Sequence, residues 1–392
     1  MRRSARGLAS LRARQWAALQ PVLARTPALA AHAGMPLAEF PITDTADLRQ
    51  NHGAWNSVGL GHAELCALAD AAEAGQDGGD YAAGWSTGSA GGARGLFLTD
   101  RSERADYIGQ SLARLLPARA LLDRQRIALH LRAGNALYSD AGGRFAFCHL
   151  PLSRSPADAA SALRAFAPTI LIAPPHRLIA FAQQGLSLPS LRHLFYGSEP
   201  MSAAERAWVA ERMQRTPRAI YQATEGFLGA ECRAGRLHLN DHALAIELEA
   251  VPGTPGFRPI VTDLRRISQP IVRLRGDDYL ELDPQECQCG YAGRVIRPIA
   301  GRVQDIWRFG ARCVTPPEVV AAVEDVLGGA ERWQAVADKV GIVLNVGPDC
   351  PRDRADRAAQ ALARPAGMEG AVRRDLPDWS GAKRRKVVWH DR

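Results

Sequence analysis

Two sets of residues in this chain have the types and spacing to do chemistry. The first is the run Trp85–Gly95, "WSTGSAGGARG", where Ser86, Thr87, Gly88, Ser89 and Gly91 offer hydroxyls and unobstructed backbone N–H groups. These are the makings of an anion nest. No G-x-x-x-x-G-K-[ST] can be read through the run, and its glycine spacing is wrong for a dinucleotide fingerprint. Taken alone, it suits a surface linker as well as a phosphate loop. The second set spans "ECRAGRLHLNDH" and "ECQCGYAGR". Cys232, His238, Cys287 and Cys289 are four borderline-soft ligands from two segments, enough to close a tetrahedral structural Zn²⁺ site with no open position. The C-x-C spacing is tighter than the common C-x₂-C, and buried thiols beside a strand-capping histidine are the alternative. His242 is a substitute ligand in the same segment, while Cys66, Cys148, Cys313 and Cys350 read as ordinary thiols.

The elements that must position these groups follow a strand–helix alternation. "GLFLTD" reads as a short strand, "RSERADYIGQSLARLL" as an amphipathic helix and "RIALHL" as a buried strand. "APTILIAPPHRLIAFAQQG" and "LRHLFYGSEPMSAAERAWVAERM" repeat strand then helix, with Ser202 as an N-cap, and "RAIYQATEG" is a further strand ending in a polar loop. Such alternation predicts an α/β sheet with ligands bound beyond the strand ends. "RPIVTDL", "PIVRLRGDDYLEL" and "VIRPIAG" are strand- and turn-rich. After "AGRVQDIWRFG" the pattern becomes a compact α+β unit, which puts a domain boundary at Gly301–Arg302.

Bulk properties narrow the function classes. The 392 residues suffice for a large cored domain plus a smaller one, and 46% hydrophobic with 23% charged content is ordinary for a globular protein. The net charge of +8 comes mostly from arginines scattered among Ala and Leu. Without basic regions interleaved with aromatics, an anionic small molecule explains it better than nucleic acid does. No apolar run reaches the ~18–20 residues a membrane helix needs. Arginines interrupt the N-terminal segment, so it reads as an amphipathic helix with its arginines on the wet face rather than a secretory signal; a transit peptide is the alternative. Seven cysteines, an odd number, argue against a disulfide scaffold and for reduced thiols in the cytoplasm.

Downstream of the glycine run lie "YGSEP" (196–200), "YQATEG" (221–226), "RLRGDDY" (273–279), "GRVQD" (301–305) and "SGAKRRK" (380–386). In this order the motifs resemble the adenylate-forming superfamily of acyl-CoA synthetases, aryl acid ligases and adenylation domains, above all its phenylacetate–CoA ligase branch. The likeness extends from about Pro36 to the end of the chain. It implies a large N-terminal domain (1–301) with mixed sheets flanked by helices and a small mobile α+β C-terminal domain (302–392). It implies an ATP-dependent acid–thiol ligase that forms an acyl-adenylate and passes the acyl group to coenzyme A or to the phosphopantetheine of an acyl carrier protein. The implied acid is aromatic, a benzoate or hydroxybenzoate.

By this resemblance Ser86, Thr87, Gly88, Ser89 and Gly91 cradle the β- and γ-phosphates of ATP, and Arg94 supplies the cation late in the loop. Gly197, Ser198 and Glu199 line the adenine; Tyr221, Gln222 and Thr224 lie on the adenosine side; Glu225 holds Mg²⁺. Asp278, with Asp277 as the neighbouring choice, takes the ribose hydroxyls. Arg302 sits beside the hinge, whose own position is Gln304 or Asp305. Lys383 is the catalytic lysine, with Lys386 as runner-up. Gly276 stands where the family usually has threonine, and Gln304 where it has Asp or Lys. Both departures favour the alternative of a degenerate member that binds nucleotide without turnover. Zinc sites at matching Cys/His positions occur in relatives of this branch.

Overall fold

The computed structural model describes residues 5–74, 76, 79–85, 94–131, 143–377 and 384–391. Ser86, Thr87, Gly88, Ser89 and Gly91, expected to form a phosphate loop, and Lys383, expected to be the catalytic lysine, lie outside them.

A mixed sheet of eight strands organises the larger part of the molecule. Its parallel half runs, in spatial order, Phe145–His149, Gln125–Leu129, Ile170–Ala173, His193–Tyr196 and Pro217–Ala223. An antiparallel half, Gly226–Glu231, Leu237–Leu239 and Val295–Ile296, completes it. Side-chain alternation divides the parallel strands between two cores. Ala128, Leu171 and Leu194 pack with Leu163, Phe181 and Val209 of the helices Pro156–Phe166, Pro175–Gln183 and Ala203–Met213. Ile127, Leu129, Ile170 and Phe195 point the other way, with Leu115 of the helix Arg101–Leu115.

Local chemistry starts these helices where the sequence says. Asp100 accepts from the Glu103 N–H at 2.8 Å while Glu103 accepts from the Asp100 N–H at 2.7 Å, a reciprocal cap on Arg101–Leu115. Ser202 and Glu205 form the same box on Ala203–Met213, both bonds at 3.1 Å. Ala167, in the left-handed region at φ 49°, ends Pro156–Phe166. The N-terminal helix Ala5–Ala24 forms as expected, but its arginines are not all on the wet face. Arg12 donates to the Asp241 carbonyl and carboxylate at 2.7 and 3.0 Å, tying the helix to the main body. The β-rich stretch "PIVRLRGDDYLEL" contributes only the two-residue strand Leu274–Arg275, in a second sheet with Phe257–Asp263, Leu244–Ala250 and Thr43–Asp44.

A separate core gathers residues between Trp307 and Val387. Four strands, Gly370–Arg373, Ile342–Val346, Trp333–Ala337 and Val387–Trp389, form its sheet. The helices Pro316–Leu327 and Arg352–Ala366 supply Val319, Val323, Ala358 and Leu362 to the same core. The last strand pairs in parallel with Trp333–Ala337, so residues 384–386 are delivered to the junction between the two parts. That junction is close. A Cβ on Gly329 would lie 2.1 Å from the backbone carbon of Ala204, an approach only glycine permits.

Candidate active site

A cavity of about 450 Å³ opens beyond the carboxyl ends of the parallel strands, where an open α/β sheet places its ligands. The segments that follow three of those strands line it: Leu131, Gly197–Glu199, and Thr224 with Glu225. Asp277, Asp278, Gly301 and Arg302 enter from the β-rich region, and Arg384–Val387 close it from the C-terminal part. Its polar side therefore unites motifs spread from residue 196 to residue 387.

Tyr221, buried, donates its hydroxyl to Asp278 Oδ2 at 2.9 Å. Burial, then the adjoining Asp278 charge, raises that phenol well above its ordinary pKa, so it remains a donor. Asp278 and Arg302 form an isolated antiparallel bridge, with Arg302 Nε 4.0 Å from Asp278 Oδ1. Glu225 is buried at the rim of the same cavity; burial raises its carboxyl, and the Asp278 and Asp277 charges add to this. Three carboxylates thus face one space, an oxygen-rich set of the kind a hard divalent cation accepts. A Cβ on Gly276 would lie 3.0 Å from the Pro259 ring and 3.3 Å from its carbonyl oxygen, so a larger residue there requires Pro259 to give way.

The segment Gly197–Glu199 is closely packed. Ser198 adopts φ 70°, and a Cβ on Gly197 would stand 3.2 Å from the Ile220 carbonyl oxygen. Glu199 accepts from His176 Nδ1, 3.1 Å from either oxygen, and from the Arg384 N–H at 3.1 Å. Burial acts to raise the Glu199 carboxyl, but His176 and Arg384 outweigh it and hold it below the usual range.

Residues 384–386 are held by acidic partners and not by solvent. Arg384 is buried, its Nη1 2.6 Å from Glu205 Oε1, and its Nη2 donates to the Pro200 carbonyl at 3.3 Å. Arg385 pairs with buried Asp305. Lys386 sits 2.8 Å from Glu205 and 2.6 Å from Glu324, over the Trp333 ring. Burial would raise the Glu205 carboxyl, yet the charges of Arg384 and Lys386 push it down to about 2. Lys386 is thereby engaged between two glutamates. Of the hinge choices, Gln304 is exposed and Asp305 is buried against Arg385.

Arg94 is placed away from the cavity lining: its Nη1 donates to Glu73 Oε2 at 3.0 Å and its guanidinium lies over Trp85. Sequence reasoning also passed over Arg49, His176, Glu205, Arg384 and Arg385. Only Glu205 carried a signal, the capping box that begins at Ser202, and that signal speaks for its helix and not for its cations.

The second constellation converges. The ligand atoms of Cys232, His238, Cys287 and Cys289 lie within 4.8 Å of one another. Cys232 Sγ is 3.6 Å from Cys287 Sγ, and Cys289 Sγ is 3.5 Å from His238 Nε2. A tetrahedron with metal–sulfur bonds of ~2.3 Å has sulfur–sulfur edges of about 3.8 Å, so these separations fit one ion. His238 Nδ1 lies 2.7 Å from the Gly293 carbonyl, which fixes the tautomer and aims Nε2 at the thiols. The strand pairing of Leu237–Leu239 with Val295–Ile296 brings the two segments together. His242 is not part of this cluster; its Nδ1 lies 2.7 Å from the Tyr291 hydroxyl.

No protein-family model matches the sequence, and no curated protein matches it. Solved structures do match the fold. The chain is similar to 2-hydroxyisobutyryl-CoA ligase in the postadenylation state with 2-HIB-AMP, at 16% identity over 99% of this chain and 90% of that one, with a TM-score of 0.73. The same ligase with 2-HIB-AMP and CoA in the thioesterification state covers the same shares at 16% identity, but its TM-score falls to 0.56. An anthranilate CoA ligase with anthranoyl-AMP matches over 77% of this chain and 65% of its own, at 15% identity and a TM-score of 0.55. The fold is that of the adenylate-forming acid ligases.

Proposed function

We propose that this protein is an AMP-forming acid–thiol ligase. The observation that carries the reading is the meeting of Tyr221–Asp278, Glu225, Arg302 and residues 384–387 around one cavity. They do so in a chain whose fold matches an acyl-CoA ligase over nearly its whole length.

The reaction then has two halves. A carboxylate oxygen of the acid attacks the α-phosphorus of ATP; the new O–P bond forms as the bond to the bridging oxygen breaks, and pyrophosphate leaves with that electron pair. A thiol sulfur next attacks the acyl carbon, gives up its proton to solvent, and expels AMP by breaking the C–O bond. Little covalent work falls to the protein, so catalysis is positioning and charge neutralisation. Tyr221 and Asp278 would orient the ribose, Gly197–Glu199 the adenine, Ser86–Gly91 the outer phosphates, and Lys383 the α-phosphate and carboxylate. Glu225 would hold Mg²⁺, which when bound neutralises phosphate charge. The better match to the postadenylation than to the thioesterification state supports placing this structure in the adenylating arrangement. Residues 302–392 would then swing about the Arg302–Asp305 turn for the second half.

An aromatic acid suits the apolar wall of the cavity, built by Tyr107, Leu112, Leu129, Phe147, Ile172 and Phe227. The acceptor is coenzyme A or a carrier-protein phosphopantetheine. In the Cys/His cluster Zn²⁺ would be structural, joining the antiparallel half of the main sheet to the 287–293 loop. The test is ATP–pyrophosphate exchange against a panel of benzoates, arylacetates and short aliphatic acids, with thioester formation measured on the active ones. Exchange with aromatic acids is expected, and Lys383→Ala should lose it while still transferring acyl from supplied acyl-adenylate. ATP binding without exchange for any acid would favour nucleotide binding without turnover.

A further inference from the structure

Most cations that line the cavity are committed. Arg206 pairs with Glu231, Arg236 with Asp283, Arg384 with Glu205, Arg385 with Asp305 and Lys386 with Glu324. Arg49, half-buried on the helix Thr45–Gln50, is different: it lines the same cavity, yet among the described residues it donates no hydrogen bond and pairs with no carboxylate. Its position in the cavity is specific. It shares the wall with Trp85, where the chain enters the glycine run, and with Glu225, on whose carboxyl its charge acts. An unpaired guanidinium between these two landmarks faces a space suited to an anion with several oxygens.

We propose that Arg49 binds the β- and γ-phosphates of ATP and, after the first half-reaction, the pyrophosphate. The inference rests on the ligase reading above and adds to it a substrate contact from a segment before the glycine run. It also accounts for Arg94. The cation that resemblance places late in the loop is held by Glu73 over Trp85, and Arg49 supplies positive charge from the cavity wall. Five N–H donors in a planar fork match phosphate oxygens bidentately, which a lysine at this position would not do.

The test is isothermal titration of the full-length protein with inorganic pyrophosphate, Mg·ATP and AMP, comparing wild type with Arg49→Gln, Arg49→Lys and Arg94→Gln. Losing a charge-assisted bidentate contact corresponds to about 10- to 100-fold in affinity. Arg49→Gln is expected to weaken pyrophosphate and ATP by that factor and to leave AMP within about twofold. Arg49→Lys should recover part of the loss, and Arg94→Gln should weaken pyrophosphate less than Arg49→Gln does. Thiolysis of supplied acyl-adenylate, which involves no outer phosphate, should fall less in Arg49→Gln than pyrophosphate affinity does. Wild-type protein that binds no pyrophosphate, an unchanged pyrophosphate affinity in Arg49→Gln, or an equal loss of AMP affinity would each overturn the assignment. If pyrophosphate binding depends on Arg49 but no acid supports exchange, the ligase reading fails and the phosphate contact stands.

Discussion

Removing Arg384 should separate the two half-reactions, and the size of the effect follows from its surroundings. The guanidinium is 8% exposed and bridges Glu205 and the Glu199–Pro200 segment, all in the larger part of the molecule, while Arg384 belongs to the C-terminal part. Breaking a buried pair by deleting one partner typically costs about 3–5 kcal/mol, because a charge stays buried without its counterpart. Here Lys386 still faces Glu205 and His176 still faces Glu199, so the cost falls below that range, to about 2–3 kcal/mol. The partners lie on parts that must separate for thiol transfer, so the cost falls on the closed arrangement rather than on folding. At ~1.4 kcal/mol per decade this is a 30- to 150-fold loss of the closed population when closure is marginal. In Arg384→Met, acid-dependent pyrophosphate exchange should drop by about that factor, while thiolysis of supplied acyl-adenylate changes less than about threefold. Arg384→Lys should recover part of the exchange. Equal losses in both half-reactions, or full exchange activity in the methionine variant, would refute the reasoning.

Other consequences can be checked independently. Gly329→Ala places a methyl on the Ala204 backbone, so it should depress pyrophosphate exchange more than thiolysis; a uniform loss of both would mean that the contact serves only folding. The Cys232/His238/Cys287/Cys289 cluster should carry one zinc per chain by elemental analysis; Cys287→Ser should abolish it and lower the melting temperature, and metal-free native protein of unchanged stability would count against the site. Glu205 moves from an ordinary value of 4.5 to about 2 on folding. In the closed arrangement a depressed carboxyl stabilises the fold above the unfolded value and loses that contribution as pH falls towards the folded one, at most about 3 kcal/mol between roughly pH 5 and 2. Urea unfolding across that window should show a steeper slope in wild type than in Glu205→Gln, and identical slopes would contradict the ion network.

The sequence was legible where information is local. Strands such as "TILIA" and "RHLFY", and the capping box beginning at Ser202, are written in consecutive residues, and the structure places them as read. The Cys/His set was legible by composition, since four soft ligands announce themselves even between positions 232 and 289. What stayed hidden depends on tertiary neighbours. "KRRK" reads as a solvated run because nothing near it is acidic. Arg384 finds Glu205, 179 positions away, only once the last strand aligns beside Trp333–Ala337. Arg49 has no motif, and its interest comes from its place on the cavity wall with no ion-pair partner among the described residues. Arg94 shows the converse, with a motif position whose side chain is held by Glu73 on a preceding helix.

The central claim, attack of a carboxylate on the α-phosphorus of ATP, is tested most directly by following oxygen. With an active acid labelled with ¹⁸O in both carboxylate oxygens, the bridging oxygen should depart with AMP when the thiol displaces it. Mass spectrometry is predicted to find one ¹⁸O per AMP formed and none in pyrophosphate. Label in inorganic phosphate with ADP as the nucleotide product, or thioester formed with unlabelled AMP, would contradict the account.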